Sequence, residues 1–383
     1  MRNIAHQLMG FFYWRCYTQC MKKILIAVDA PGPAEFIAPV LPLLKNSELD
    51  LKIVTVKDSP TKILEKYNPL RCDTEADAEK IYQEFNPDVL LVATSSLQFG
   101  PFVNKKFTEL AHHDKKQIIC FQDFWGNHRW PQNREVMQYW QAILVPDGLA
   151  KKLLLEDGYQ NKIIVTGSPA FDKFKNINVT AERKRLRELF KIPQNAFVIL
   201  HAGTGTPQSA EADEITFKFV AQTFREFKTT TLTLNPILIA RAHPRDEQSD
   251  RYQKLAPDLE LLDTNSIALS DELLPIADAV IAMYSTNLIH ACYLYIPAIS
   301  ILLPDAGRKR LSAINLSDFP PNQFGATIGI YDPEIPKLTK IMEKIKNDVR
   351  FRSEIRTAQE KYFPLPKELA AEKVANVIEY LLK

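Results

Sequence analysis

Short unbroken runs of aliphatic residues recur along this chain, most of them separated by stretches with helical amphipathicity. In the first half they are "ILIAV" (24–28), "LKIVTV" (51–56), "DVLLVAT" (88–94), "QIICFQ" (117–122), "AILVP" (142–146) and "KIIVTG" (162–167). They do not alternate apolar with polar residues, as a strand with one wet face would. Continuous runs of this length belong to strands buried on both faces. Segments such as "EADAEKIYQEF" and "GLAKKLLLEDG" lie between them, so the pattern predicts a parallel sheet covered by helices. A polar, basic stretch from Ser168 to Ala196 breaks the rhythm. It resumes at "FVILHAGTGTP" (197–207), "NPILIARAHP" (235–244), "LELLD" (259–263), "DELLPIADAVIAM" (271–283) and "PAISILL" (297–303). The expected fold class is α/β, with two Rossmann-like, doubly wound parallel-sheet domains facing each other across a cleft.

Length agrees with this division, because 383 residues exceed the ~250–300 at which a single core stops growing. The first domain is expected at 21–175, a linker at 176–194, the second domain at 195–335 and charged, amphipathic helices at 336–383. "MKKILIAVDAPG" reads as the natural start of an α/β domain. Met21 is therefore taken as the functional start and residues 1–20 as a non-native or disordered extension; the competing view makes their greasy patch a weak membrane-surface anchor. No apolar run nears the ~20 residues that span a bilayer. A net charge of +2 gives no whole-molecule case for nucleic acid, and none is expected as a partner. The five cysteines lack metal-ligand spacing and read as free thiols in a reducing compartment. His112-His113-Asp114 reads as a solvated helix end. Neither a metal nor a cofactor is expected.

Chemistry is sought where the chain leaves the carboxyl ends of strands. Glycine is scarce, with twelve residues, so its placement is informative: Gly32, Gly167 and Gly203 with Gly205 each follow an apolar run. In "HAGTGTP", Gly203 and Gly205 would let backbone amides approach an oxyanion, with Thr204 and Thr206 adding hydroxyls. In "RAHPRD", Arg241, His243 and Arg245 supply charge-assisted donors. In "MYSTNLIHACYLYIP", Ser285 or Thr286 is a helix N-cap that aims the next amides at the cleft. One such loop alone is more often structural, whereas three at the strand ends of one sheet suit a diphosphate. "GTGTP" lacks the third glycine of a dinucleotide loop and the Gly-Lys-Ser/Thr ending of a P-loop.

With these motifs the second half resembles the nucleotide-binding domain of GT-B glycosyltransferases, in the branch with UDP-N-acetylglucosamine 2-epimerases and the capsule and teichoic-acid polymer transferases. "VTGSPAFDKF" (165–174) resembles the interdomain turn of that branch, "HPR" its His-Pro pair, and "ELLPIADAVIAMYSTNLIHACYLYIPAISI" its helix-and-strand signature. The resemblance is strong over 162–303 and weak before it. It implies the GT-B fold, with the last helix crossing back onto the first domain. It also implies a nucleotide-sugar donor held by Gly203, Thr204, Gly205, Arg241, His243, Arg245, Ser285, Thr286 and His290. His290 is a departure, because the branch usually has a glutamate there that holds both ribose hydroxyls, which an imidazole cannot do. A histidine simply packed in the core is the alternative.

The first half would then hold the acceptor and a base. Gly32 and Glu35 lie at the turn after the first strand. "FQDFWGNHRWP" (121–131) puts Asp123 and His128 beyond another strand, with Trp125 and Trp130 as stacking surfaces. Teichoic-acid polymerases carry Trp-His-Gly in the corresponding loop, but nothing separates Trp125 from Gly126 here. The catalytic candidates are therefore Asp123, His128 and Glu35, in that order. The expected activity is metal-independent transfer of a sugar from a UDP-linked donor to a bacterial surface-glycan or lipid-linked acceptor, with Arg308-Lys309-Arg310 adding charge for a phosphorylated acceptor. A hydrolysing UDP-N-acetylglucosamine 2-epimerase and a non-catalytic nucleotide-sugar-binding protein remain as alternatives. The expected location is the cytoplasm, with attachment to the inner face of the plasma membrane left open.

Overall fold

Aliphatic runs become strands in both halves. The computed structural model describes residues 21–45, 49–56, 58–95, 102–204, 210–230, 235–242, 250–264, 266–267, 270–304 and 306–382. The first sheet contains β1 (Lys22–Val28), β2 (Leu49–Thr55), β3 (Leu70–Arg71), β4 (Val89–Ala93), β5 (Gln117–Phe121), β6 (Ala142–Val145) and β7 (Lys162–Val165). The second contains β8 (Val198–Ala202), β9 (Ile237–Arg241), β10 (Ala279–Ala282), β11 (Ala298–Ile301) and β12 (Ile328–Ile330). Both sheets are parallel, in the orders β3-β2-β1-β4-β5-β6-β7 and β12-β11-β10-β8-β9. Strand order reverses between β1 and β4 in one sheet and between β8 and β10 in the other. A crevice opens at the carboxyl end of the strands at each such point. The α/β, GT-B architecture is the one expected.

The central strands are aliphatic because helices cover them on both sides; Ile24 to Ala27, Leu90 and Val280 to Ala282 are all buried. One apolar cluster lies on the outer face of the second sheet, and another joins β1 to the last helix, Ala370–Leu381. A third runs continuously through both domains, from Trp125 and Phe174 to Leu288 and Phe319. The last helix is docked by the interdomain turn Pro169–Asn176. Asp172 accepts hydrogen bonds from the backbone amides of Ala370 (2.9 Å) and Ala371 (2.8 Å), and so caps a helix distant in sequence. Gly167, with φ +84°, leaves room there: a Cβ would lie 3.1 Å from that of Ala370. Val374 and Ile378 of this helix pack with Ile24 and Ile26.

One reading of the sequence changes, and the connecting stretch gains detail. "LELLD" (259–263) is not a strand, and Leu259 packs beside the second sheet without joining it. The stretch 176–194 contains a helix, Val179–Leu189, N-capped by Asn178. Its Arg187 is buried on Asp278 (3.0 Å) and on the Ala196 carbonyl (3.2 Å), which fastens it to the second domain. Residues 1–20 lie outside the described residues. No helix among the described residues is long and apolar enough to cross a membrane.

Candidate functional site

β1 runs into a short helix, Pro31–Ile37, whose first position is a proline that presets the helical φ. Gly32 is in its first turn, and the Asp123 carboxylate, two residues beyond β5, fills the space a side chain at position 32 would need. Asp123 is held from its other side by the Asn127 amide, which donates to Oδ1 at 3.0 Å. Glu35 follows Gly32 by three residues and so shares its helix face. Thus β1 and β5 bring Gly32, Glu35 and Asp123 to one side of the cleft.

The opposite wall belongs to the interdomain turn and the second domain. Lys173 forms an ion pair with Asp271, and Asp271 Oδ2 lies 3.8 Å from His290 Nδ1. His290 is on the helix Thr286–Tyr293, one turn after Thr286. Ser285, three residues beyond β10, N-caps that helix by accepting from the Asn287 backbone amide at 3.2 Å. His290 itself is buried against Phe171 and Phe174, with ring centroids 5.5 and 4.8 Å away. It therefore packs as a core histidine, although it borders the charged cluster. Lys173 and Asp271 were missed from sequence. The signal for the first lay inside the quoted interdomain turn.

Several expected donor contacts are used within the protein. The Gly203 amide donates to the Arg241 carbonyl at 2.9 Å, and the Thr204 amide donates to Asp213 Oδ1 at 2.8 Å. Glycine is required at 203 by Tyr252, whose hydroxyl would collide with a Cβ there. Arg241 donates to the carbonyls of Thr264 (3.0 Å) and Ile267 (2.9 Å), so its guanidinium secures a loop. Gly205, Thr206, His243 and Arg245 lie outside the described residues. Of the expected donor loops, the helix start at Ser285 and Thr286 lies one turn before His290, which borders the charged cluster.

Two candidates in the first domain are also corrected. His128 is wholly buried, with Nδ1 3.1 Å from Gln122 Oε1 and Nε2 2.7 Å from Asp157 Oδ2. With both nitrogens engaged it cannot reach an acceptor hydroxyl. Burial, with Arg129 and Arg134 nearby, holds it below the ordinary histidine value despite Asp157. Trp125 is no open stacking surface: its indole donates to Asp147 at 2.7 Å and its ring meets Phe319 edge-on at 6.4 Å. Arg129 reaches the Asn315 carbonyl at 2.7 Å, so this loop fastens the two domains. Trp130 is buried as well.

Glu35 therefore feels Asp123 from its own side of the cleft and the Lys173–Asp271 pair from the other. Solvent reaches Glu35, yet the walls of the cleft desolvate its carboxyl and raise its pKa. Lys173 opposes the rise and Asp271 and Asp123 add to it. Burial pushes Asp271 up too, but Lys173 and His290 more than offset it and leave it below the usual carboxylate value. A carboxyl that holds its proton longer beside one that ionises readily is an arrangement suited to proton transfer.

The same fold occurs in solved structures of low sequence identity. A Staphylococcus aureus MnaA–UDP structure shares 16% identity at TM-score 0.66, covering 94% of this chain and 97% of that one. A Neisseria meningitidis UDP-GlcNAc 2-epimerase bound to UDP-GlcNAc shares 15% at TM-score 0.64, with 94% and 99% covered. The wall teichoic acid polymerase TagF, soaked with CDPG, shares 14% at TM-score 0.57, with 94% and 88% covered. No curated protein matches the chain in sequence. The family described as CDP-glycerol:poly(glycerophosphate) glycerophosphotransferase matches residues 125–380, starting just after Asp123 and leaving Glu35 outside. Because that match spans more than half of the chain, this transferase of the GT-B fold belongs to the CDP-glycerol:poly(glycerophosphate) glycerophosphotransferase family.

Proposed function

We propose that this transferase moves a polyol-phosphate group from a CDP-linked donor to a hydroxyl of a phosphodiester or glycan polymer. The acceptor oxygen would attack the phosphorus next to the polyol, the bond to the departing CMP would break, and the hydroxyl proton would pass to Asp123 or Glu35. The observation that carries this reading is the meeting of Asp123 and Glu35 from the first domain with Lys173 of the interdomain turn and Asp271 of the second domain. Family membership favours the CDP-linked donor. The helix start at Ser285 and Thr286 supplies partial positive charge for the phosphates.

A UDP-linked sugar is the second reading, favoured by likeness to structures holding UDP and UDP-GlcNAc. There the acceptor would attack the anomeric carbon and UDP would leave. Calorimetric titration with CDP, UDP and their glycerol and N-acetylglucosamine conjugates, followed by turnover with a glycerophosphate oligomer, separates the two. CMP release that depends on acceptor supports the first reading and UDP release the second. ManNAc formed without acceptor would instead identify a hydrolysing epimerase. Binding without any turnover would leave a nucleotide-binding protein. Flotation with anionic vesicles tests peripheral attachment to the plasma membrane.

A further inference from the structure

One side chain pairs with the second domain from a turn packed on the helix of Glu35, and it comes from neither sheet. Lys173 sits in the turn Pro169–Asn176, against which the helix Pro31–Ile37 packs. Its ammonium pairs with Asp271 of the second domain and lies 5.3 Å from the centre of the Phe174 ring. The charges acting on Glu35 are Lys173, Asp271 and Asp123. The helix Asp58–Leu64 also packs on Pro31–Ile37, but its Asp58 is paired with Arg71, and neither Asp58 nor Lys62 acts on Glu35. The neighbouring His290 is buried and faces Lys173 and Asp271.

We infer that Lys173 is a positioning residue, which holds Asp271 across the joint between the domains and lays that charged pair against the helix that carries Glu35. Among these groups it is the only permanent cation against three acids. Without it Asp271 would face Glu35 uncompensated, and repulsion would favour a protonated Glu35 or a wider cleft. The joint is therefore electrostatic as well as mechanical. An incoming diphosphate competes with Asp271 for the same ammonium, so occupancy of the second domain alters the proton affinity of a carboxylate in the first. This inference rests on the proposed transfer only for its kinetic consequence.

The test uses the full chain with Lys173→Met, Lys173→Arg and Asp271→Asn. Glutamate carboxyls are labelled with ¹³C and titrated by NMR, and Glu35 is assigned through Glu35→Gln. Lys173→Met is expected to move the Glu35 midpoint to higher pH, Lys173→Arg to restore it, and Asp271→Asn to move it lower. An unmoved midpoint in folded Lys173→Met overturns the inference. This titration needs no turnover, so it separates a failure here from a failure of the proposed activity. Where turnover is measurable, the acidic limb of kcat against pH should move with the midpoint. A loss that is equal at every pH would also overturn the inference, because it would mark Lys173 as merely structural.

Discussion

The carboxylate of Asp123 occupies the space beside Gly32 that any larger residue would claim. A Gly-to-Ala change in a helix ordinarily stabilises, by about 0.4–1 kcal/mol, through the unfolded chain. Here the methyl group meets the tip of a movable side chain, which can swing aside cheaply. Gly32→Ala should therefore stay within about 1 kcal/mol of wild type in urea unfolding. Its turnover should fall roughly 100-fold, the cost of shifting a reacting group by about an ångström. Full activity in a well-folded Gly32→Ala protein would remove Asp123 from the reaction.

Asp172 ties the last helix to the interdomain turn through two backbone amides. Asp172→Ala should lower stability by about 0.5–2 kcal/mol, the usual range for a lost N-terminal cap. Hydrogen exchange should quicken first over residues 370–382. Global unfolding with no local acceleration would show that apolar packing of Val374 and Ile378 holds this helix unaided.

His201 is wholly buried in β8 between Phe217 and Tyr252, with ring centroids 5.3 and 5.2 Å away, and neither ring nitrogen has a hydrogen-bond partner among the described residues. Burial lowers its pKa to about 4, with Asp213 resisting and Arg251 assisting. Because the folded value lies below the unfolded one, the contribution is fully present above about pH 6.5 and is lost as pH falls toward 4. His201→Leu should unfold like wild type or slightly later near neutrality. It should also abolish about 1.4 kcal/mol of acid sensitivity per pH unit inside that window. Urea titrations at pH 7.5 and about pH 5 check this, and parallel pH dependence in the two proteins would contradict it.

How legible these features were depended on their sequence range. Runs such as "ILIAV" and "VLLVA" announce strands because burial on both faces leaves no polar alternation. "LELLD" is equally apolar, yet it packs beside the sheet, and β12 escaped notice as a three-residue strand containing Gly329. That Gly32, Glu35 and Asp123 share one side of the cleft was legible because they follow strands at the predicted edge. Gly203 was misread because its crowding partner, Tyr252, is remote in sequence. The Lys173–Asp271 pair spans 98 residues, and no local pattern encodes it. His128 looked reactive as a residue type, and only the Gln122 and Asp157 contacts show it to be occupied.

Asp123 and Glu35 should part company kinetically. A base that takes the acceptor proton in the transition state typically contributes 10²–10⁴-fold. Asp123 borders Gly32 and accepts from Asn127, and that geometry suits a group acting at one defined atom. Glu35 has only its cleft neighbours to orient it among the described residues, and burial raises its pKa above the ordinary carboxylate value. Asp123→Asn keeps the shape and the Asn127 neighbour but cannot accept a proton. It should therefore reduce kcat by about 10²-fold or more with donor KM nearly unchanged, since only a transition-state interaction is lost. Glu35→Gln fixes a neutral group in place. It should remove the acidic limb of the pH profile and leave a smaller, pH-independent loss. If Glu35→Gln gives the larger loss in kcat and Asp123→Asn mainly reshapes the pH profile, the two roles are reversed: Asp123 becomes the orienting neighbour and Glu35 the base.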